Sequence, residues 1–320
     1  MSALVSPHVA VVIPAFKVSS QITEVITNIG PEITDIIVVD DACPESSGAR
    51  AKSLNDSRVT VLTHSENQGV GGATITGYKH ALSLGADIIV KIDGDGQMDP
   101  HLIPLLLAPL SANVADYAKG NRFSSVENLE SMPVIRVLGN AGLSFMTKLS
   151  SGYWNVTDPT NGFTAIRGEV LRELRLGKLH HRFFFESDLL FRLNLLGAAV
   201  ADVPMKAHYG DEKSNLSATK AFFHFPWLHL RNQLKRVFYS YYLKEMSIAS
   251  FELPLGVGLL GFGVFYGFSA WASASAAGIA TTTGNVMIAS LPIIIGFQLL
   301  LAFLSYDIAS TPKRPRRFAS

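Results

Sequence analysis

The chain of 320 residues is poor in charge: Asp, Glu, Lys and Arg make up only 17% of it, against about 25% in an ordinary soluble protein. The deficit is local. From Leu253 to Tyr306, 54 consecutive residues include none of the four, and the rest of the chain has about 20% charged residues, close to a soluble domain. Cysteine is scarcer still. A single Cys43 excludes a disulfide framework and any cysteine-based zinc site, and agrees with a reducing compartment. The formal net charge of +1 gives no global attraction for nucleic acid, so none is expected as a partner. With 48% hydrophobic residues and no low-complexity tract, neither a disordered nor a collagen-like chain fits.

What is present divides into a head and a tail. Val9 to Ile13 is too short and too little flanked by cations for a signal peptide, and it stops at Pro14; it reads as a first buried strand. Leu253–Ala272 and Val286–Tyr306 are each long enough to cross a hydrocarbon layer of about 30 Å. The plainer alternative is a helical hairpin buried in a large soluble core, and the length and complete lack of charge speak against it. Arg231, Lys235, Arg236 and Lys244 precede the pair, and Lys313, Arg314, Arg316 and Arg317 follow it. This distribution places both termini in the cytoplasm. Between head and spans, residues 218–250 begin with a mixture of Phe, Trp and Tyr with cations over Ala218 to Tyr242. These suit amphipathic helices, broken near Pro226, on the headgroup layer. The expected division is therefore a soluble head over 1–217, juxtamembrane helices over 218–250, a transmembrane hairpin over 251–308 and a basic cytoplasmic tail over 309–320.

In the head, strands are expected at Val9–Ile13, Ile36–Val39, Val59–Leu62 and Ile88–Ile92, and helices near Gln21–Ile29, Ser46–Leu54, Gly71–Leu84 and Pro100–Leu110. This alternation, with β-branched runs too apolar to leave a wet face, predicts an α/β fold with a mostly parallel, Rossmann-like sheet. Ligands of such sheets bind beyond the carboxyl ends of the strands, where the polar clusters fall. Lys91 to Pro100 reads KIDGDGQMDP. Asp93 and Asp95, one residue apart beyond a strand, with Gln97 continuing the spacing, form an oxygen donor set for Mg2+ or Mn2+ shared with substrate phosphates; a solvated Asp-Gly turn is the plainer alternative. Asp40 and Asp41 end the run IIVVDD, where a carboxylate can accept from a base or a ribose, or simply cap a turn. The loop ENQGVGG, Glu66 to Gly72, opens a helix but has neither the lysine nor the spacing of a phosphate-binding Walker loop, and Gly71 and Gly72 read as turn glycines.

VVIPAF, IIVVDD, ENQGVGGATITGYKHAL and IDGDGQMDP, in this order and spacing, resemble the GT-A fold of family 2 glycosyltransferases. More narrowly, the chain is similar to polyprenyl-phosphate glycosyltransferases of the dolichyl-phosphate mannose synthase type over about residues 8 to 217. That resemblance implies a nucleotide sugar and a polyprenyl phosphate lipid as partners at a membrane, and Mg2+ or Mn2+ as cofactor. A homo-oligomer is compatible with it. Pro14, Ala15 and Asp40 would line the nucleoside pocket with Asp41 and Asn67 nearby. Asp93 would face ribose and diphosphate, and Asp93, Asp95 and Gln97 would hold the metal. Asp158 would lie near the anomeric carbon, with Glu186 and Asp188 bordering the site as further catalytic candidates. Arg122, Arg136, Lys213 and Ser214 would contact the acceptor phosphate. Where the mannose synthases carry an arginine before Gly-Glu-Ser-Lys, this chain has Tyr209, and Val70 stands where many members have lysine.

The implied reaction is inverting transfer to a polyprenyl phosphate at the cytoplasmic face of a bacterial membrane. A sugar hydroxyl on a lipid-linked oligosaccharide is the alternative acceptor and would need a carboxylate base; an inactive sensor of nucleotide sugars is a third reading. Gln233-Leu-Lys-Arg236-Val237 also resembles the Gln-x-x-Arg-Trp motif of processive polysaccharide synthases, with Val237 in place of tryptophan. Two membrane helices are too few to enclose a polar polysaccharide channel.

Overall fold

The protein is described by a computed structural model over residues 7–123, 134–205 and 218–316. The chain divides into two compact units, one of residues 1–233 with 312–320 and one of residues 234–311. The first unit is built on seven strands, β1 (Val9–Ala15), β2 (Asp35–Asp40), β3 (Val59–Thr63), β4 (Ile88–Lys91), β5 (Tyr117–Asn121), β6 (Thr164–Arg167) and β7 (Val200–Pro204), in the order β3-β2-β1-β4-β6-β5-β7.

All seven residues of β1 are buried, as a central parallel strand covered on both faces requires. Successive side chains serve opposite layers, because a strand has a period of two. Ala10, Val12, Ile37 and Val39 meet helices α3 (Val70–Ser83) and α7 (Phe185–Leu196) on one face. Val9, Val11, Ile13, Ile36 and Val38 form the opposite core with α1 (Ile22–Thr27), α2 (Ser47–Lys52) and α4 (Ile103–Ser111). The unit also holds the helices α5 (Val134–Ser151) and α6 (Gly168–Glu173), most of α8 (Ala218–Phe238), and short 3-10 turns at Pro100–Leu102 and Leu176–Lys178.

The sheet is mostly parallel, and β6 is the exception. It runs antiparallel to both β4 and β5, with Thr164 opposite Lys91 on one side and opposite Lys119 on the other. Its reversed direction has a functional consequence: β6 starts at the carboxyl edge of the parallel strands, so the turn just before it is delivered to that edge. Helix α8 runs without a break through Pro226, where a break had been expected. A proline deletes one backbone hydrogen bond and bends a helix, and the remaining bonds on either side are enough to carry it on.

The second unit holds the end of α8, a π-turn over Tyr239–Lys244, and two long helices, α9 (Ala249–Ala276) and α10 (Thr283–Ala309). Both are long and apolar enough to cross a membrane. They touch through small residues. A Cβ on Gly296 would lie 2.6 Å from the Leu260 backbone nitrogen, and one on Gly263 would lie 2.7 Å from the Ala289 carbonyl oxygen, the close backbone approach that glycine permits between membrane helices. Arg236, expected among the cations at the lipid surface, is instead buried. It donates to Asp307 from Nη1 at 2.6 Å and from Nη2 at 3.0 Å, and Tyr241 adds its hydroxyl to the same carboxylate at 2.6 Å. A buried aspartate near the end of such a helix needs partners of this kind to remain charged, so the arginine of the Gln-x-x-Arg resemblance has a structural use here.

Candidate active site

The carboxyl edge of the sheet gathers the polar segments. Ala15 and Asp40 stand level at the ends of β1 and β2, followed by Lys91 at the end of β4 and Asn121 at the end of β5. Pro14 and Ala15 are the last residues of β1, and Ala15 is fully buried.

The two aspartates after β2 hold loops. Asp40 accepts from the backbone N–H of Cys43 and of Gly48, each at 2.7 Å, and so ties down the start of α2. Asp41 accepts from the backbone N–H groups of Gln68 and Gly69 at 2.8 Å and contacts His64 Nδ1 at 2.7 Å; Asn67 donates to the Asp41 carbonyl at 3.3 Å. The loop before α3 also packs closely on a second segment. Gly72 donates to the His181 carbonyl at 2.8 Å, and a Cβ on Gly71 would lie 2.4 Å from the His180 carbonyl oxygen. Protein oxygens thus already receive N–H groups at the start of α3, and Gly71 is required by the close approach.

Asp93 and Asp95 follow β4 in a loop turned by Gly96, whose φ is +76°. Asp95 accepts from the Gln97 N–H at 3.1 Å, and Asp93 accepts from Lys91 Nζ at 2.8 Å. Lys91 also donates to Glu186 at 3.1 Å. Burial opposes its charge, but the two carboxylates outweigh burial and push its pKa above the ordinary lysine value. The oxygen-only set of Asp93, Asp95 and Gln97 fits a hard divalent cation that shares its shell with ligand phosphates. Among the described residues, no group of three or more His, Cys, Asp or Glu could enclose a cation without such help.

Asp158 is wholly buried in the turn before β6. Its Oδ2 accepts from Arg122 Nε at 2.7 Å and its Oδ1 from Arg122 Nη2 at 3.2 Å, a two-point ion pair. The same turn reaches Asp93 through Gly162, where a Cβ would lie 2.5 Å from Asp93 Oδ2 and 2.5 Å from Lys91 Nζ. Asp93, Asp158, Glu186, Lys91 and Arg122 are therefore gathered at one place.

Asp188 is occupied differently. It accepts from the His180 N–H at 3.1 Å, Arg192 Nε at 3.0 Å and Asn232 Nδ2 at 3.0 Å, joining α7 to α8. Lys213 and Ser214 lie outside the described residues, and for Arg136 only its backbone place in α5 is described. The sequence reading missed Lys91, Lys119 and Asn161. A lysine inside a run of strand residues, as in IIVK and YAKGN, was the available signal, since a buried lysine must have partners.

Residues 10–175 match Glycosyl transferase family 2. Among curated proteins, the UDP-N-acetylglucosamine–dolichyl-phosphate N-acetylglucosaminyltransferase of Methanococcus voltae is 33% identical over 62% of this chain and 84% of its own. The undecaprenyl-phosphate mannosyltransferase of Micrococcus luteus is 32% identical over 54% and 71%. Among solved structures, glucosyl-3-phosphoglycerate synthase from Mycobacterium tuberculosis, in complex with Mn2+, UDP and glucosyl-3-phosphoglycerate, superposes with a TM-score of 0.54 at 21% identity, covering 72% of this chain and 80% of that one. That likeness bears on the fold, which is the GT-A arrangement expected from the motifs. With more than half of its residues inside the family match and a relative one-third identical over most of that relative's length, the chain belongs to glycosyl transferase family 2.

Proposed function

We propose that the protein transfers a sugar, with inversion, from a UDP- or GDP-linked donor to a polyprenyl phosphate. One observation carries the choice of acceptor: each candidate base is already engaged. Asp158 is paired with Arg122, Glu186 with Lys91, and Asp188 with three donors. A sugar hydroxyl must lose a proton as it attacks and needs a carboxylate set up to take it. A phosphate monoester, with a second pKa of about 6, is already largely ionised at neutral pH and needs none. The names of the relatives from Methanococcus voltae and Micrococcus luteus, and the two apolar helices, support the same reading.

In this mechanism a phosphate oxygen of the lipid bonds to the anomeric carbon as the bond to the nucleoside diphosphate breaks. Arg122 orients Asp158, and the charge of its guanidinium would also attract the acceptor phosphate. Asp158 stabilises positive charge growing at the anomeric carbon. Lys91 keeps Asp93 and Glu186 in place. A divalent cation held by Asp93, Asp95 and Gln97 supplies, when bound, Lewis-acid stabilisation of the leaving diphosphate.

A cytoplasmic head and cytoplasmic termini are part of this reading, supported by Arg231, Lys235 and Lys244 before the apolar helices and Lys313 and Arg314 after them. Cysteine labelling at residue 279 should report the side opposite to residue 318, and same-side labelling refutes the hairpin. For the reaction, the purified full chain is incubated with UDP- and GDP-sugars, Mn2+ and either a polyprenyl phosphate or the matching polyprenol. A phosphate-linked sugar on the lipid is expected from the phosphate alone. Equal transfer to the alcohol refutes the proposal.

A further inference from the structure

A buried lysine beneath the site has no part in the mechanism above. Lys119, in the middle of β5, is fully buried. Register places it and Lys91 on either side of Thr164, so Lys91, Thr164 and Lys119 form one row across β4, β6 and β5, and directly opposed residues project to the same face. Lys91 has two carboxylates. Lys119 Nζ instead donates to the backbone carbonyl of Asn161, in the turn that carries Asp158 and Gly162. Asn161 is itself a bracket: its Nδ2 donates to the Gly120 carbonyl at 2.9 Å and its Oδ1 accepts from the Phe163 N–H at 3.0 Å. The turn is thereby fastened to β5 from below, while its upper side meets Arg122 and Asp93.

We propose that Lys119 is a positioning residue for sugar transfer: its hold on the Asn161 carbonyl keeps Asp158 on Arg122 and Gly162 against Asp93. This rests on reading the site as the place of transfer. Keeping a buried ammonium is costly unless it is compensated, so an apolar residue would serve packing better than lysine does. The groups facing it are Glu186 from α7, Asp158 from the turn, Lys91 from β4 and Arg122 beyond β5. Burial lowers its pKa, Lys91 and Arg122 add to that, Glu186 and Asp158 oppose it, and the result is pushed down to about 8. A neutral amine is a weaker donor to the carbonyl than an ammonium. Loss of the proton therefore loosens the turn.

The test compares the full-length wild type with Lys119→Met, a swap of similar length that removes the charge. Lys119→Met should lower kcat about tenfold to a hundredfold at pH 7, the scale of a misplacement approaching 1 Å, while donor KM changes little. Wild-type kcat/KM should fall as pH rises through about 8, well above the acceptor phosphate's own ionisation near 6, and the variant should be flat there. A merely structural lysine would not create that limb. Wild-type kcat in Lys119→Met, or a wild-type profile flat from pH 7 to about 9.5, overturns the proposal; the second result needs no variant that folds. Slow hydrolysis of the donor, which needs no lipid, is read in parallel. If hydrolysis keeps the limb but no lipid-linked sugar forms, the acceptor reading fails and the role of Lys119 stands.

Discussion

Replacing Gly162 by alanine tests the convergence of the Asp158 turn on the Asp93 loop with a single carbon atom. The new Cβ would lie 2.5 Å from Asp93 Oδ2 and 2.5 Å from Lys91 Nζ. Returning to even a tight contact of about 3 Å requires a displacement of about 0.5 Å or more, which reaches the tolerance of a catalytic constellation. The neighbours have little room to give it. Lys91 is buried and held by Asp93 and Glu186, and the turn is held by Arg122 and Lys119. Overpacking of this kind costs about 1–3 kcal/mol, a fall of a few degrees in unfolding temperature for a domain of this size. Turnover should suffer far more, by about tenfold to a hundredfold. Gly177→Ala is the control, since its Cβ would meet nothing within 4 Å, and both its stability and its activity should stay near wild type. The assay is sugar transfer at saturating donor beside thermal unfolding of the same preparations. Wild-type turnover in Gly162→Ala would refute the claim that the two segments meet at the reacting centre.

Asp188→Asn should lower the unfolding temperature while leaving kcat within a fewfold of wild type, because Asp188 ties Arg192, His180 and Asn232 together; intact stability with lost turnover would make it a base instead. Asp95→Asn keeps volume but removes a ligand charge, so turnover should fall by orders of magnitude with the fold intact, and full activity of the wild type in chelator contradicts the cation assignment. His229, 3% exposed, has its pKa pushed down to about 4 by burial. Its unfolded form binds the proton first, so its contribution to stability is present above the ordinary histidine value and is lost as pH falls from about 6.5 toward 4. Between pH 7 and 5 the loss is about 2 kcal/mol, and His229→Gln should show a correspondingly shallower pH dependence in chemical unfolding.

The sequence determined the first half of the sheet, because β1, β2 and β4 are parallel strands buried on both faces and therefore read as short, nearly unbroken β-branched runs, and β3, the half-buried edge strand, keeps the same β-branched character. It also determined which segments lie at the carboxyl edge, since in a parallel sheet every loop after a strand emerges there. The charge-free stretch identified the two long helices for the same kind of reason: hydrocarbon admits few charges over about 20 residues. Strands β5, β6 and β7 were not legible, for YAKGN and VADVP carry polar residues whose compensation comes from elsewhere in the chain.

That compensation is what only the tertiary structure decided. Arg122 and Asp158 are 36 residues apart, and Lys91 and Glu186 are 95 apart. No local spacing reports that each catalytic candidate would be paired. Arg236 reads as a surface cation until Asp307, 71 residues on, buries it. The reversed direction of β6 is equally invisible locally, because strand polarity is set by where the preceding chain ends and not by the four residues of the strand. It is that reversal which brings Asp158, Asn161 and Gly162 to the edge where Asp93 and Lys91 already stand: residue types state which chemistry is available, and the long-range pairing of the folded chain decides which groups remain to carry it out.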